Sequence, residues 1–315
     1  MEGKKTAKQL LSQYFIVIIF IAVVAVLTAL KPSFISPKNI INILKQTSII
    51  GILSFGMMFV IIGGDIDISV GSTIAFTGVL AALLGRGQFP LIVPLLVAMA
   101  AGLGVGMLNG VGIAKGNIPA FIMTLGTMTA VRGLALIASN GNPVTGTSEA
   151  YRAVTTRTIA GIPLLAVYFV IVIIICSFIL SKTVFGRRVY ACGGNEQAAR
   201  VAGINTTFMR IAVFSLMGLL AGFCGFLMSS RVTIGQPTAA ESYEMDAITA
   251  CVVGGVSMAG GVGSPVGVVI GALLITVIQN GLDVMGVSSH WQKIVKGAII
   301  VIAVLIDVKG RSKKD

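Results

Sequence analysis

Residues 14–30 read YFIVIIFIAVVAVLTAL, an uncharged stretch running from Tyr14 to Leu30 directly after Lys4, Lys5 and Lys8. A helix crossing a bilayer needs about 20 mainly apolar residues, because the hydrocarbon core is about 30 Å thick and each residue rises about 1.5 Å. The run is too long for the apolar region of a signal peptide, roughly 7–15 residues, and further apolar runs follow, so it reads as an uncleaved first helix. Comparable runs fall near 48–63, 70–85, 90–113, 118–139, 162–181, 210–230, 246–259, 264–282 and 291–307. The expectation is an all-α polytopic membrane protein of about ten transmembrane helices.

Composition agrees. The 315 residues are 56% hydrophobic and only 11% charged, against about 25% charged in an ordinary soluble domain. So few charges cannot clothe a water-facing surface, which excludes a soluble enzyme, a disordered tail and a nucleic-acid binder. The formal net charge of +12 comes from bases placed between apolar runs rather than on one face. With ten spans, thirteen Lys and Arg fall on the side of the two termini and nine opposite, with Arg132 inside a span. That bias places both termini in the cytoplasm. Two polar segments are long: 182–209 on the cytoplasmic side and 140–161 outside. Residues 1–315 form one transmembrane domain on this reading, with no extramembrane catalytic unit.

The runs ending in Gly63-Gly64-Asp65-Ile66-Asp67 and spanning 246–263, with Gly254, Gly255, Gly260 and Gly261, are weak spans. Either is a full crossing or a half-helix lining a cavity, where irregular backbone is tolerated; eight or nine spans stand as the alternative count. Glycines recur four apart at Gly106 and Gly110, at Gly218 and Gly222, and at Gly263, Gly267 and Gly271, the interval that lets helices approach closely. Asn109-Gly110 and Asn280-Gly281 close two Gly-rich spans on opposite sides of the membrane, as an inverted repeat would.

Several residues are candidates for chemistry. Asp65, Asp67 and Ser69 precede a span, where they either cap free N–H groups or face a permeation path. Arg132 lines a polar path or pairs with a carboxylate for structure alone. Asn109, Gln279 and Asn280 contact a solute or bond between helices. In the outer loop, Glu149, Arg152 and Arg157 offer charges to a docking protein. Asn195 is suited to cap a short amphipathic helix and Gly203 to stop it, with Ala198, Val201 and Ala202 on one face and Glu196, Gln197 and Arg200 on another. Cys176, Cys192, Cys224 and Cys251 have no metal or disulfide spacing. Lys5-Thr6 and Lys182-Thr183 lack the preceding glycine of a nucleotide-binding loop, so any ATP and Mg would be held by another chain.

Three stretches carry a resemblance: Asp67-Ile68-Ser69-Val70-Gly71-Ser72; Val189-Tyr190-Ala191-Cys192-Gly193-Gly194-Asn195-Glu196; and Gln236-Pro237-Thr238 leading to Tyr243-Glu244-Met245-Asp246-Ala247-Ile248 and Gly254-Gly255. In this order and spacing they resemble the ribose-type permeases of bacterial ATP-binding-cassette importers, over nearly the whole chain. That resemblance implies the importer permease fold in the cytoplasmic membrane, a second copy of the chain surrounded by lipid, a separate ATPase subunit, an extracytoplasmic sugar-binding protein, and ribose or a similar monosaccharide as cargo. It also implies that Gln197-Ala198-Ala199 followed by Gly203 is the loop that couples to the ATPase, with Gln197 where many importers place Glu and without their Leu-Pro. An ion-coupled secondary transporter is the competing function, although it would need a titratable group near the midplane.

Overall fold

The computed structural model describes residues 7–311; Lys4, Lys5, Lys313 and Lys314, counted above toward topology, lie outside the described residues. The helices are α1 (Ala7–Leu30), α2 (Pro37–Ile62), α3 (Val70–Leu84), α4 (Ile92–Ala114), α5 (Ala120–Ala138), α6 (Glu149–Thr156), α7 (Leu164–Lys182), α8 (Val184–Gly194), α9 (Glu196–Val201), α10 (Thr206–Val232), α11 (Tyr243–Val253), α12 (Pro265–Val284) and α13 (Ser289–Arg311). Among the described residues a two-residue-per-strand hairpin, Thr158–Ile159 with Ile162–Pro163, and an isolated antiparallel bridge between Val144 and Gly235 are β pairings that the all-α expectation did not contain.

Among the described residues six helices are long and apolar enough to cross a membrane: α2, α4, α5, α7, α10 and α12. The expected span at 70–85 is α3, of 15 residues. The expected span at 246–259 is shorter still: α11 has 11 residues, about 16 Å of helix and half the thickness of a hydrocarbon core.

Helix α2 occupies the centre. It starts eleven residues earlier than the apolar run suggests, because Pro37 pre-sets the first turn, and every residue from Thr47 to Ile62 is buried. A helix apolar all round belongs inside a protein. Helix α10 packs against α2, α3 and α4; α7 lies on α2, α12 joins α2 to α11, and α1 covers α12.

The glycine series are crossing points. A Cβ at Gly102 would strike the Gly218 carbonyl, one at Gly106 the Phe214 carbonyl, and one at Gly271 the Ala250 carbonyl. α4 therefore lies backbone to backbone on α10, and α12 on α11. Such close approach replaces side-chain volume with dispersion contact between main chains.

Candidate functional site

The C-terminal end of α2 is where the separate motifs converge. The Ile62 carbonyl, freed as the helix ends, accepts the N–H of Gly261 at 2.9 Å. Gly193 presses onto that same carbonyl, leaving no room for a Cβ, and Gly260 packs on Gly193 in turn. Gly260 and Gly261 have φ of +84° and +70°, the left-handed region open mainly to glycine. The hydroxyl of Tyr190 donates to the Gly263 carbonyl at 2.8 Å. Thus the Val189–Glu196 motif, the end of α2 and the turn after α11 form one junction held largely by backbone. Three backbones meet only where side chains are absent, which is the physical reason for glycine at 193, 260 and 261.

From this junction the segment expected to couple projects as α9. Asn195 is extended (φ −159°) and its Oδ1 accepts the Ala198 N–H at 2.9 Å, a side-chain cap on the first turn. Gly203 ends the turn at φ +81°. The face carrying Ala198, Val201 and Ala202 points outward, with Val201 92% exposed. Ala199 is different: it is 4% exposed and packed inward, so a larger residue there would disturb this chain's own packing.

Charges tie α9 to the helices behind it. Arg210, in the first turns of α10, donates from Nε to Asp65 Oδ2 at 2.7 Å, and its guanidinium lies 3.3 Å from Glu196 Oε2. Glu196 Oε1 in turn accepts from Arg200 at 2.7 Å, one turn along α9. Burial opposes the ionised form of Glu196, but the hydrogen bond from Arg200 and the charge of Arg210 outweigh it and hold its carboxyl below the usual glutamate range. The result is a clasp of alternating charge from the α2–α3 turn through α10 to α9. Beside it lies a small cavity lined by Asp65, Cys192, Glu196 and Arg210.

The remaining candidates are distributed. Asp67, Ser69 and Asn109 lie together and buried: Asp67 Oδ1 accepts the Ser69 backbone N–H at 2.9 Å and its hydroxyl at 2.6 Å, while Asn109 Nδ2 donates to Ser69 Oγ at 2.9 Å. This cluster organises the start of α3 against α4. Asn280 forms a reciprocal amide pair with Asn39, at 2.7 and 3.1 Å, joining α12 to the first turn of α2.

Arg132 forms no ion pair with a carboxylate among the described residues. It donates to the carbonyls of Pro237 and Ala239, at 2.8 and 2.9 Å. Those carbonyls belong to an irregular segment between α10 and α11, with left-handed Thr233, Ala240 and Ser242. The segment is held at one end by antiparallel pairing of Gly235 with Val144 and touches Gly71 of α3 at Ala240. Buried backbone carbonyls need hydrogen-bond partners, and Arg132 supplies the donors.

Glu149, Arg152 and Arg157 are all exposed, along or just beyond α6. That helix is anchored on its other face: Tyr151 OH lies 2.6 Å from Ser229 Oγ, and Thr155 Oγ1 2.9 Å from Ser230 Oγ.

Sequence reasoning missed Arg210 and the junction glycines. Arg210 and Asp65 are 145 positions apart, and nothing local marks one as the partner of the other. Gly260-Gly261 was legible as a break in an apolar run and Gly193-Gly194 as part of a motif, but not the two as sides of one contact.

Comparison with known proteins gives consistent relationships. The sequence family described as branched-chain amino acid transport system / permease component matches residues 39–304. The chain is 45% identical over 294 residues to the ribose import permease protein RbsC of Bacillus subtilis (strain 168), covering 92% of this chain and 91% of that protein. It is 41% identical over 296 residues to the RbsC protein of Escherichia coli (strain K12), covering 93% and 92%. It is 37% identical over 306 residues to the L-arabinose ABC transporter permease protein AraH of Azospirillum brasilense, covering 97% and 90%. No solved structure matches.

Proposed function

This chain belongs to the family described as branched-chain amino acid transport system / permease component, and on that premise we propose that it is the membrane-spanning subunit of an ATP-driven importer that moves ribose or a similar monosaccharide inward. The substrate class follows the relatives, named for ribose and L-arabinose. The subunit performs no chemistry on its cargo. ATP and Mg would be held and hydrolysed by a separate subunit beneath it, a sugar-binding protein would deliver cargo to the outer face, and two copies of this chain would enclose the path within the bacterial cytoplasmic membrane.

The observation that carries this reading is α9. It is a short, capped helix with an exposed small-residue face, and it is joined to the core of the molecule by the clasp and the glycine junction rather than by a loose tether. A subunit that receives mechanical work needs such an element: small enough to seat in a shallow groove, and rigidly linked to the helices that must move. Motion of α9 would be passed to α10 through Arg210 and to the end of α2 through Gly193.

In the same reading α1, α2, α3, α4, α5, α7, α10, α11, α12 and α13 make ten crossings, α11 counting together with the irregular segment before it, and both termini are cytoplasmic. Asn109 binds the residue that starts α3, and Asn280 binds a residue in the first turn of α2, a parallel that supports an inverted repeat. The α6 charges Glu149, Arg152 and Arg157 face outside, where they would steer the binding protein.

The test is substitution on the exposed face. Val201→Glu should leave folding intact and abolish co-purification with the ATPase, or co-purification followed by sugar-stimulated ATP turnover. Normal retention with normal stimulated turnover would overturn the assignment of α9.

A further inference from the structure

A second polar site lies away from the clasp, in a cleft of about 260 Å³ lined by α2, α11, α12 and α13. Its lining reaches from Gln46 and Thr249 to Asp283 and Ser289 at the α12–α13 turn. Asp246 is buried there at 1% exposure. Both Lys296 Nζ and Gln279 Nε2 meet its Oδ1, each at 2.7 Å, which leaves Oδ2 outside both contacts. Gln46 Oε1 is buried with no hydrogen-bond partner. A buried acceptor without a donor is costly, and Gln46 stands in the wall of this cavity with Asp246 and Thr249.

We propose that this cavity is a binding site for a neutral, polyhydroxylated solute of monosaccharide size, one in each copy of the chain. The inference rests on the sugar-importer reading and adds a location to it.

Three properties of the lining select that chemistry. The charge is balanced, since the two carboxylates Asp246 and Asp283 are matched by Lys293 and Lys296. A cation entering would meet an ammonium, and an anion a carboxylate, so neither gains net attraction. The lining carries both donors and acceptors: Lys296 and Gln279 donate, while Asp246 and the unpartnered Gln46 Oε1 accept. A hydroxyl group both donates and accepts, so a polyol satisfies such a wall, whereas a purely donating or purely accepting ligand does not. Tyr243 and the aliphatic Ile275 and Ile278 supply an apolar patch suited to the C–H face of a sugar ring.

Size is the remaining selector. Sites for drug-sized ligands are roughly 300–1,000 Å³, and a cavity just below that range takes a small solute. A lipid chain is disfavoured by the same lining, because its methylenes would leave Gln46 Oε1 without a donor.

The experiment uses the full chain purified alone, without ATPase or binding protein, and measures equilibrium binding of radiolabelled ribose, arabinose and xylose. Saturable binding of at least one of the three is expected. Gln46→Leu removes the unpaired acceptor, so the variant should melt no lower than the wild type while binding the sugar roughly three- to tenfold more weakly. Thr249→Trp, which fills the cavity, should abolish binding, and a sugar phosphate should fail to compete.

Absence of saturable binding in the wild type, or binding unchanged in Gln46→Leu, would overturn the site. The two readings fail separately. If the complete importer moves a labelled pentose while the purified chain binds none, the cavity site falls and the importer stands. If the complete assembly moves no sugar, the importer reading falls.

Discussion

Asp65→Asn tests whether the clasp transmits force or merely decorates the surface. The substitution keeps side-chain size and removes one charge from a pair 2.7 Å long. At an effective dielectric of about 20 the gross attraction at that distance is about 6 kcal/mol. Much of it is returned as desolvation, because the Asp65 side chain is 14% exposed and that of Arg210 28%. Asparagine retains a weaker hydrogen bond to the guanidinium, so the net loss should be about 2 kcal/mol. At about 1.4 kcal/mol per factor of ten, that is roughly a thirtyfold shift away from the arrangement in which α9 is locked to α10 and the α2–α3 turn. The assay is the assembled importer in proteoliposomes, with loaded binding protein, read as stimulated ATP turnover and labelled sugar uptake. The exposed face of α9 is untouched, so the ATPase should still co-purify, while uptake per ATP hydrolysed falls by about tenfold or more. Asp65→Glu, which keeps the charge, should recover much of the loss. Uptake and stimulated turnover of Asp65→Asn both within about twofold of wild type would refute transmission through Arg210.

The junction, the half-buried Arg132 and the anchor at Glu196 give further tests. Gly193→Ala should lower the yield of folded protein or uncouple it, since its Cβ would collide with the Ile62 carbonyl, whereas Gly194→Ala, with nothing within 4 Å of the added carbon, should behave as wild type in expression and turnover. Arg132→Met should lower stability by about 1–3 kcal/mol by stripping donors from the carbonyls of Pro237 and Ala239, seen as earlier heat-induced labelling of the buried thiols Cys176, Cys224 and Cys251. Because the Glu196 carboxyl is held below its ordinary value of 4.5, its contribution to anchoring α9 is complete above that value and is lost as pH falls through the lower folded-state value. Hydrogen exchange of the α9 amides, corrected for intrinsic rate, should therefore stay flat from about pH 8 to 5 and rise only in more acid solution.

Apolar runs, charge placement and turn residues are local quantities, and what depends on them was legible in the linear chain. The membrane character follows from segments such as 14–30, the capped helix from Asn195 and Gly203, and helix crossings from glycines four apart, because each signal is carried by residues within a few positions. The weakness of the 246–263 stretch was visible for the same reason, as glycine within an apolar run.

Tertiary structure alone decided which distant groups meet. Asp65 finds Arg210 and Asn39 finds Asn280 only because α2, α10 and α12 pack together. Arg132 serves two backbone carbonyls rather than a side chain because an irregular segment, unsatisfied by its own hydrogen bonds, folds beside α5. Ala199 turns inward while its neighbours Ala198 and Val201 turn out, a choice made by what α9 packs against and not by α9 itself. Gly193 and Gly260 are required by each other's backbone. A partner's position is a property of the packed chain, and hydrogen bonds, ion pairs and close backbone contacts form only after packing has brought their two halves together.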